Sequence, residues 1–252
     1  MVQRVFITAG ASGIGREIAR AFAAQGANVF VCDIDASGLD NLAAEIPGLA
    51  TQVCDVSKLA DIEKTVAFAA DTLGGIDVVV NNAGIAGPTA PVEEVTPEQW
   101  DKVIQINLSA TFHVTRLAIP YLKKSSAGAI VTISSAAGRF GYANRSAYSS
   151  SKWALVGFTK TLAIELGQYG IRANVILPGT VEGERIQKVF EGRAQISGQT
   201  VEEVKLASLA NQSIKQLIDP RDIAALAVFL ASDHGKSISG QMLPIDGDMH
   251  QL

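Results

Sequence analysis

Thr8-Ala9-Gly10-Ala11-Ser12-Gly13-Ile14-Gly15 lies between a short apolar, β-branched run, Val2 to Thr8, and a segment of helical periodicity, Arg16 to Gln25. A strand, a glycine-rich turn and a helix in that order form a phosphate-binding device. The glycines let the backbone approach a pyrophosphate. The helix N-terminus supplies N–H donors and the positive end of a dipole. The glycines alone carry little information; their place between strand and helix gives them weight. A second apolar run, Ala27 to Cys32, closes on Asp33. An acid at that strand end, about 20 residues past the turn, accepts hydrogen bonds from both ribose hydroxyls and repels a 2′-phosphate. The pattern therefore predicts NAD, with NADP the lesser alternative. The competing reading of Asp33 is a helix cap in the turn before Asp35-Ala36-Ser37.

The alternation of strand and helix patterns continues along the chain. Gly38 to Ile46 reads as helix, Ala50 to Cys54 as a strand ending at Asp55-Val56, and Leu59 to Leu73 as helix. Ile76 to Val80 reads as a strand that ends in Asn81-Asn82-Ala83-Gly84. Pro97 to Lys124 reads as one long helix, with Thr96 as cap and Pro97 at its first position. Its expected inward face is Trp100, Val103, Ile104, Asn107, Leu108, Thr111 and Phe112. Asn107 is polar on that face, so it must find partners, either structural or in a site. Ala129 to Ser134 is a strand, and a loop leads from it to a helix running to about Gln168. Ile171 to Leu177 is a strand stopped by Pro178-Gly179. Residues 182–216 carry charge on interrupted helical periodicity and read as an excursion over the ligand crevice. Pro220 to Leu230, capped by Asp219, and a last strand, Met242 to Ile245, complete the chain. Seven strands alternating with helices predict a single α/β unit over 1–252, a doubly wound seven-stranded parallel sheet with helices on both faces.

Composition narrows the function. Apolar residues make up 48% and charged residues 18% of the 252, enough for a sizeable core and too apolar for disorder. A net charge of −4 without a basic cluster disfavours nucleic acid. Cys32 and Cys54, both inside apolar runs, read as core residues of a reducing compartment. His113, His234 and His250 are scattered, so no metal site is expected. No signal-peptide pattern follows Met1 and no apolar run reaches membrane-spanning length. A soluble, cytoplasmic protein with no membrane partner is the expectation.

Tyr148-Ser149-Ser150-Ser151-Lys152 supplies the chemistry. A tyrosine and a lysine four apart on a helix project from one face, one turn apart. Free Tyr titrates near ~10, and a neighbouring ammonium stabilises its phenolate. Such a Tyr148 can exchange a proton around neutral pH. The spacing is common by chance, and the other motifs decide its meaning.

Jointly the motifs resemble the short-chain dehydrogenase/reductase family, in its common type of roughly this length, across essentially the whole chain. They are Thr8 to Gly15, Asp55-Val56, Asn81-Asn82-Ala83-Gly84, Asn107, Ser135, Tyr148-x-x-x-Lys152 and Pro178-Gly179. Ser135 stands at the family's interval from Tyr148, whereas Ser134 is one residue early and points to the other side of its strand. The resemblance implies a Rossmann-type fold and an enzyme. Tyr148 would exchange a proton with the substrate oxygen, and Ser135 would donate to the same oxygen. Lys152 would assist Tyr148 and bond the nicotinamide ribose, and Asn107 would hold a water in the proton relay. Ala9, Gly10, Ser12, Gly13, Ile14, Gly15 and Asp33 would cradle the dinucleotide. Asp55 and Val56 would contact adenine, and Asn82, Ala83 and Gly84 the adjoining ribose. Pro178, Gly179 and Val181 would line the nicotinamide. The chain departs from the family at Ala9, the usual first glycine, at Gly183, often threonine, and at Gly247-Asp248, usually two glycines.

The substrate pocket is expected between 139–145, 86–91 and 182–216. Arg139, Arg145, Arg185 and Arg193 are candidates to grip a carboxylate, against the alternative of a solvated charged surface. Arg145 and Arg185, with Ser135 and Tyr148, form the expected substrate set. The expected substrate is a small polar secondary alcohol or its ketone: a sugar, sugar acid or hydroxy acid. Two other readings compete. One is an NADPH-dependent 3-oxoacyl-carrier-protein reductase, though Ser12 and Asp33 stand at the discriminating places. The other is a non-catalytic NAD sensor or scaffold on the same fold. The resemblance also implies a homo-oligomer, a tetramer or a dimer, with the Tyr148 helix and the Pro97 helix at one interface. Met249 to Leu252 reads as a frayed tail or as an arm to a neighbouring subunit.

Overall fold

The computed structural model describes residues 2–251; Met1, Leu252 and the side chain of Arg185 lie outside the described residues. Seven apolar runs pair into one parallel sheet in the order β3-β2-β1-β4-β5-β6-β7. The strands are β1 (Arg4–Thr8), β2 (Asn28–Asp33), β3 (Ala50–Val53), β4 (Val78–Asn81), β5 (Ala129–Ile133), β6 (Arg172–Pro178) and β7 (Met242–Ile245). The central strands are covered on both faces, so they read as continuous apolar runs and not as an alternation. Val5, Ile7, Val29, Val31, Val78 and Val80 point to one core, Phe6, Phe30 and Val79 to the other. The first core packs under α1 (Gly13–Ala24), α2 (Ala36–Glu45) and α9 (Pro220–Ala231). The second packs under α3 (Leu59–Leu73), α5 (Ala110–Leu122) and α6 (Ser146–Gly167).

Helix starts follow the sequence signals. Asp35 caps α2 by accepting from Gly38 N–H, and Asp219 caps α9 ahead of Pro220. The cap of α2 is thus Asp35, which frees Asp33 from that alternative. Thr96 and Gln99 form a capping box on α4 (Pro97–Ile104).

The long helix expected from Pro97 to Lys124 is divided. A π-helical turn, Gln105–Ser109, separates α4 from α5. Its wider turn advances the helix phase, and wide turns of this kind are frequent at functional sites. Asn107 is thereby driven fully inward, at 0% exposure, while Trp100 and Phe112 from the expected inward face are 38% and 44% exposed.

Cys32 and Cys54 are free and buried on one sheet face. Sharing with Cys54 and burial push the Cys32 thiol well above its ordinary range.

The excursion after β6 consists of α7 (Glu184–Ser197) and α8 (Val201–Ala210). Gly183, at the start of α7, has φ +139°, a conformation that a threonine would not adopt without strain. The reading of Met249 to Gln251 as frayed is corrected. Met249 is buried, its carbonyl accepts from Arg139, and its backbone bridges Gln212. His250 N–H donates to Asn211 O. Asp248 sits at φ +58° with its carboxylate accepting from Ser213 Oγ. That hydrogen bond, followed by His250, holds the Asp248 carboxyl below the usual carboxylate range. Local side-chain bonding of this kind is what lets an aspartate take a glycine's place there. Among the described residues, no helix is long and apolar enough to cross a membrane, and no His/Cys/Asp/Glu group could hold a metal ion.

Candidate active site

The strand order reverses between β1 and β4, and the loops leaving their carboxyl ends lie side by side. Ligands of open α/β sheets bind at that point. Thr8, at the end of β1, joins the two loops: its Oγ1 accepts from the N–H of both Asn82 and Ala83, each at 3.1 Å. In return Asn82 Nδ2 donates to the carbonyls of Thr8 and Ala9. Sequence reasoning did not single out Thr8 as this clasp.

The glycine turn has the form a phosphate needs. Gly13 sits at φ +53° with open space where a Cβ would project. A Cβ on Gly15 would overlap the Ala9 carbonyl oxygen and the Asn82 amide. Ser12 makes no side-chain cap, so the first N–H groups of α1 have no side-chain acceptor. Ala9 occupies φ +52° in spite of its methyl. Gly10 beside it is obligatory, because a Cβ there would lie 2.6 Å from Val31 Cγ1. Asp33 reaches into the turn and accepts from Ala11 N–H at 3.0 Å and Asp35 N–H at 3.1 Å. Asp55 accepts from Ser57 N–H and Oγ, which hold its carboxyl below the usual range. Val56 is half-buried against the core. These residues fit a dinucleotide: an open N-terminal cradle, a carboxylate at the ribose position and a second carboxylate beyond it.

On the far side of the crevice α6 carries Tyr148 and Lys152. Lys152 is buried and its Nζ donates to Ile133 O at 3.0 Å. Nζ lies 5.7 Å from the centre of the Tyr148 ring, and Arg145 Cζ lies 5.2 Å from the same centre. Ser135 starts the short turn Ala136–Gly138, its Oγ accepting from Ala137 N–H. Ser149, next to Tyr148, donates to Ala137 O at 2.9 Å, so the Ser135 turn and the Tyr148 turn are one unit. Ser134, the rival serine, is buried and donates to Lys152 O at 2.8 Å, a structural tie. Gly138 is needed for this packing, since a Cβ there would lie 2.6 Å from Ser134 Oγ.

Asn107 bonds both neighbouring segments. Its Oδ1 accepts from Ile85 N–H at 2.8 Å, and its Nδ2 donates to Ile85 O and to Ser151 Oγ. Gly84 lies between Asn107 and Lys152: a Cβ there would be 3.3 Å from Asn107 Oδ1 and 3.4 Å from Lys152 Nζ. Beyond the end of β6, Gly179 packs so closely on Asp246 that a Cβ would lie 2.8 Å from its Cα. Pro178 ends β6, and Val181 bridges Ile218.

The arginines separate. Arg139 donates to Met249 O and pairs with Asp246 at 3.4 Å, so it is committed to the fold and not to a substrate. Arg145 is 5% exposed, donates to Thr89 Oγ1 at 2.8 Å and lies over the rings of Tyr142 and Tyr148. Arg185 begins α7 with its side chain outside the described residues. Arg193 lines a cavity of about 270 Å³ beneath α7 and α8, together with Thr89, Tyr142, Thr180 and Met249. All three expected segments, 86–91, 139–145 and 182–216, contribute walls; the C-terminal wall was missed, because nothing in the local sequence pattern fixes a chain end.

Comparison with known proteins agrees with this geometry. A family model described as enoyl-(acyl carrier protein) reductase matches residues 8–250. The chain is 41% identical over 247 residues to a D-beta-hydroxybutyrate dehydrogenase of Cupriavidus necator, covering 96% of this chain and 95% of the relative. It superposes on an NAD+-bound xylitol dehydrogenase with a TM-score of 0.94 at 28% identity, covering 97% and 98% of the two chains. An actinorhodin polyketide ketoreductase solved with NADPH gives 0.93 at 32% identity, with 98% of each chain covered.

Proposed function

The chain belongs to the short-chain dehydrogenase/reductase family, and from that premise we propose that it is an NAD-dependent dehydrogenase of a small hydroxy acid or sugar acid. An oxidoreductase acting on secondary alcohols is the common ground of its relatives. The observation that carries the finer reading is Tyr148 between two cations, on the same unit as Ser135 and across the crevice from Asp33.

In the alcohol-to-ketone direction, the bound nicotinamide supplies the hydride acceptor. Tyr148 takes the hydroxyl proton as the C–H bond breaks, and returns it in the reverse direction. Lys152 and Arg145 place positive charge beside the phenol, which favours its phenolate form. Ser135 keeps its O–H for the substrate oxygen, because its Oγ meets Ala137 N–H as an acceptor. Lys152 is aimed by Ile133 O on one side and the Asn107–Gly84 loop on the other. Asn107 acts on the relay through that loop and through Ser151.

Asp33 supports NAD over NADP, since its carboxylate stands where a 2′-phosphate would bring like charge. The 3-oxoacyl-carrier-protein reductase reading requires the opposite preference. Arg145, Arg193 and the hydroxybutyrate relative favour an acid over a neutral alcohol. The buried free thiols suit a reducing, cytoplasmic setting. Exposed Phe112 on α5 and Trp153 on α6 suit contact with a second subunit.

The test is NAD and NADP reduction over hydroxy acids, sugar acids and polyols, with Tyr148→Phe as control. The expected result is NAD turnover of an acid that falls about 100-fold or more in the variant, with dinucleotide binding retained. Full activity in Tyr148→Phe would refute the mechanism. NADP preference would refute the cofactor assignment.

A further inference from the structure

We propose that Arg193 anchors an anionic group at the end of the substrate remote from the reacting hydroxyl, which makes the preferred substrate an extended hydroxy acid or sugar acid. The proposal rests on the dehydrogenase reading above and deepens it. Among the described residues lining the 270 Å³ cavity under α7 and α8, Arg193 is the one that carries a charge. Ser208, Asn211 and Gln251 give the cavity a polar side, while Phe190, Val204 and Met249 give it an apolar one. A guanidinium has five N–H donors. Arg193 donates once, to Ser208 Oγ at 3.3 Å, and lies 4.7 Å from the centre of the Tyr142 ring. It makes no ion pair among the described residues. The half-buried fork is therefore left with donors and no counterion, and it faces a space of ligand-fragment size. A carboxylate meets both demands bidentately, which a neutral hydroxyl cannot.

The place of Arg193 fixes which end of the substrate it would hold. Tyr142 lies within cation–π distance of both Arg193 and Arg145, whose Cζ atoms are 4.7 and 5.7 Å from its ring centre. Arg145 in turn lies over Tyr148. Arg193 is thus related to Tyr148 through two intervening side chains, Tyr142 and Arg145. A substrate held at both Arg193 and Tyr148 has to pass these two intervening side chains, which favours an acid longer than a β-hydroxy acid. Thr180, one residue past Gly179, and Tyr142, against Arg145, line the same cavity.

The experiment uses the full-length enzyme with NAD and a panel of neutral four- to six-carbon polyols, 3-hydroxybutyrate and five- and six-carbon sugar acids. kcat and KM are measured for the wild type, Arg193→Gln and Arg193→Lys. The expected result is a wild-type preference for a sugar acid over the polyol of equal length. Arg193→Gln should raise the KM of that acid about 10- to 100-fold, the range for a charge-assisted hydrogen bond. Its kcat and the polyol KM should stay within about twofold, and Arg193→Lys should restore part of the acid affinity. Equal KM changes for acid and polyol would reduce Arg193 to a clamp between α7 and α8 and overturn the proposal. Wild-type preference for polyols, or for 3-hydroxybutyrate over longer acids, would overturn it as well while leaving the dehydrogenase reading intact. An inert panel would remove both.

Discussion

Asn107 donates to the Ser151 hydroxyl at 3.0 Å, and that hydroxyl donates to the carbonyl of Tyr148 at 2.7 Å. A π-helical turn is thus wired to the first turn of α6, against which it packs. Ser151 is fully buried, so nothing else can serve Asn107 Nδ2 on that side. Ser151→Ala is expected to lower stability by about 1–3 kcal/mol through the weakened buried amide. It is also expected to lower kcat while leaving the KM for NAD nearly unchanged. Denaturant unfolding and steady-state kinetics check this together. A loss of stability with an unaltered kcat would leave Ser151 a purely structural residue.

Asp33 and Ala11 offer the test of cofactor choice. Asp33→Asn keeps an acceptor for Ala11 N–H and removes the charge. The KM for NAD should rise about 10-fold or more, as for loss of a charge-assisted hydrogen bond. The ratio of NADP to NAD turnover should rise with it. An unchanged ratio would show that discrimination lies elsewhere in the turn.

The sheet was readable from seven short apolar runs, because burial on both faces leaves a signal without turn chemistry. Leu59–Leu73 and Met242–Ile245 fall where the pattern puts them. The division of the long helix at Gln105 was not readable, since a π turn changes phase by one residue and leaves composition intact. Phe112, beyond that turn, was placed inward for that reason; Trp100, before it, is exposed as well. Of the candidate site, Tyr148 and Lys152 were singled out by spacing, Asn107 as a polar residue on an apolar face and Ser135 by the family resemblance. Ser151, Thr8 and Met249 were not. Their roles come from partners distant in the chain: Asn107, Asn82 and Arg139. Arg139 and Arg193 looked alike in the sequence, and the ion pair with Asp246 and the hydrogen bond to Met249 O separate them.

Ala9 and Gly10 carry a backbone prediction. Ala9 at φ +52° holds an L residue in the left-handed region, at a cost of roughly 1–2 kcal/mol. Glycine there removes the strain but gives back about 0.5–1 kcal/mol in chain entropy. Ala9→Gly should therefore leave Tm equal or slightly raised. Gly10→Ala should lower stability by about 1–3 kcal/mol, because its methyl meets Val31 Cγ1. Combining it with Val31→Ala should lose less than the sum of the two single changes. Thermal unfolding of the four variants decides it, and strict additivity would deny the contact.

Arg4 and Asp77 join β1 and β4 at the amino-terminal end of the strands, and their pairing predicts an acid response. Asp77 accepts from Arg4 Nε and Nη2, from Arg4 N–H and from Ser125 Oγ, with its side chain 4% exposed. Burial works to raise its pKa, and the hydrogen bonds from Arg4 and Ser125 outweigh it, so the carboxyl titrates below its ordinary value. A carboxyl depressed in the folded state stabilises fully above its unfolded pKa of about 3.9. That contribution is lost as pH falls through the lower, folded value. Asp77→Asn should cost about 2–3 kcal/mol near neutrality, below the range for fully buried pairs because Arg4 is partly solvated. The gap between wild type and Asp77→Asn should hold steady above about pH 5 and shrink below about pH 4. Urea unfolding across pH 3 to 7, a range of about four units around the carboxylate region, measures it. A gap that persisted undiminished at the acid end would mean that packing, and not the Asp77 charge, ties β1 to β4.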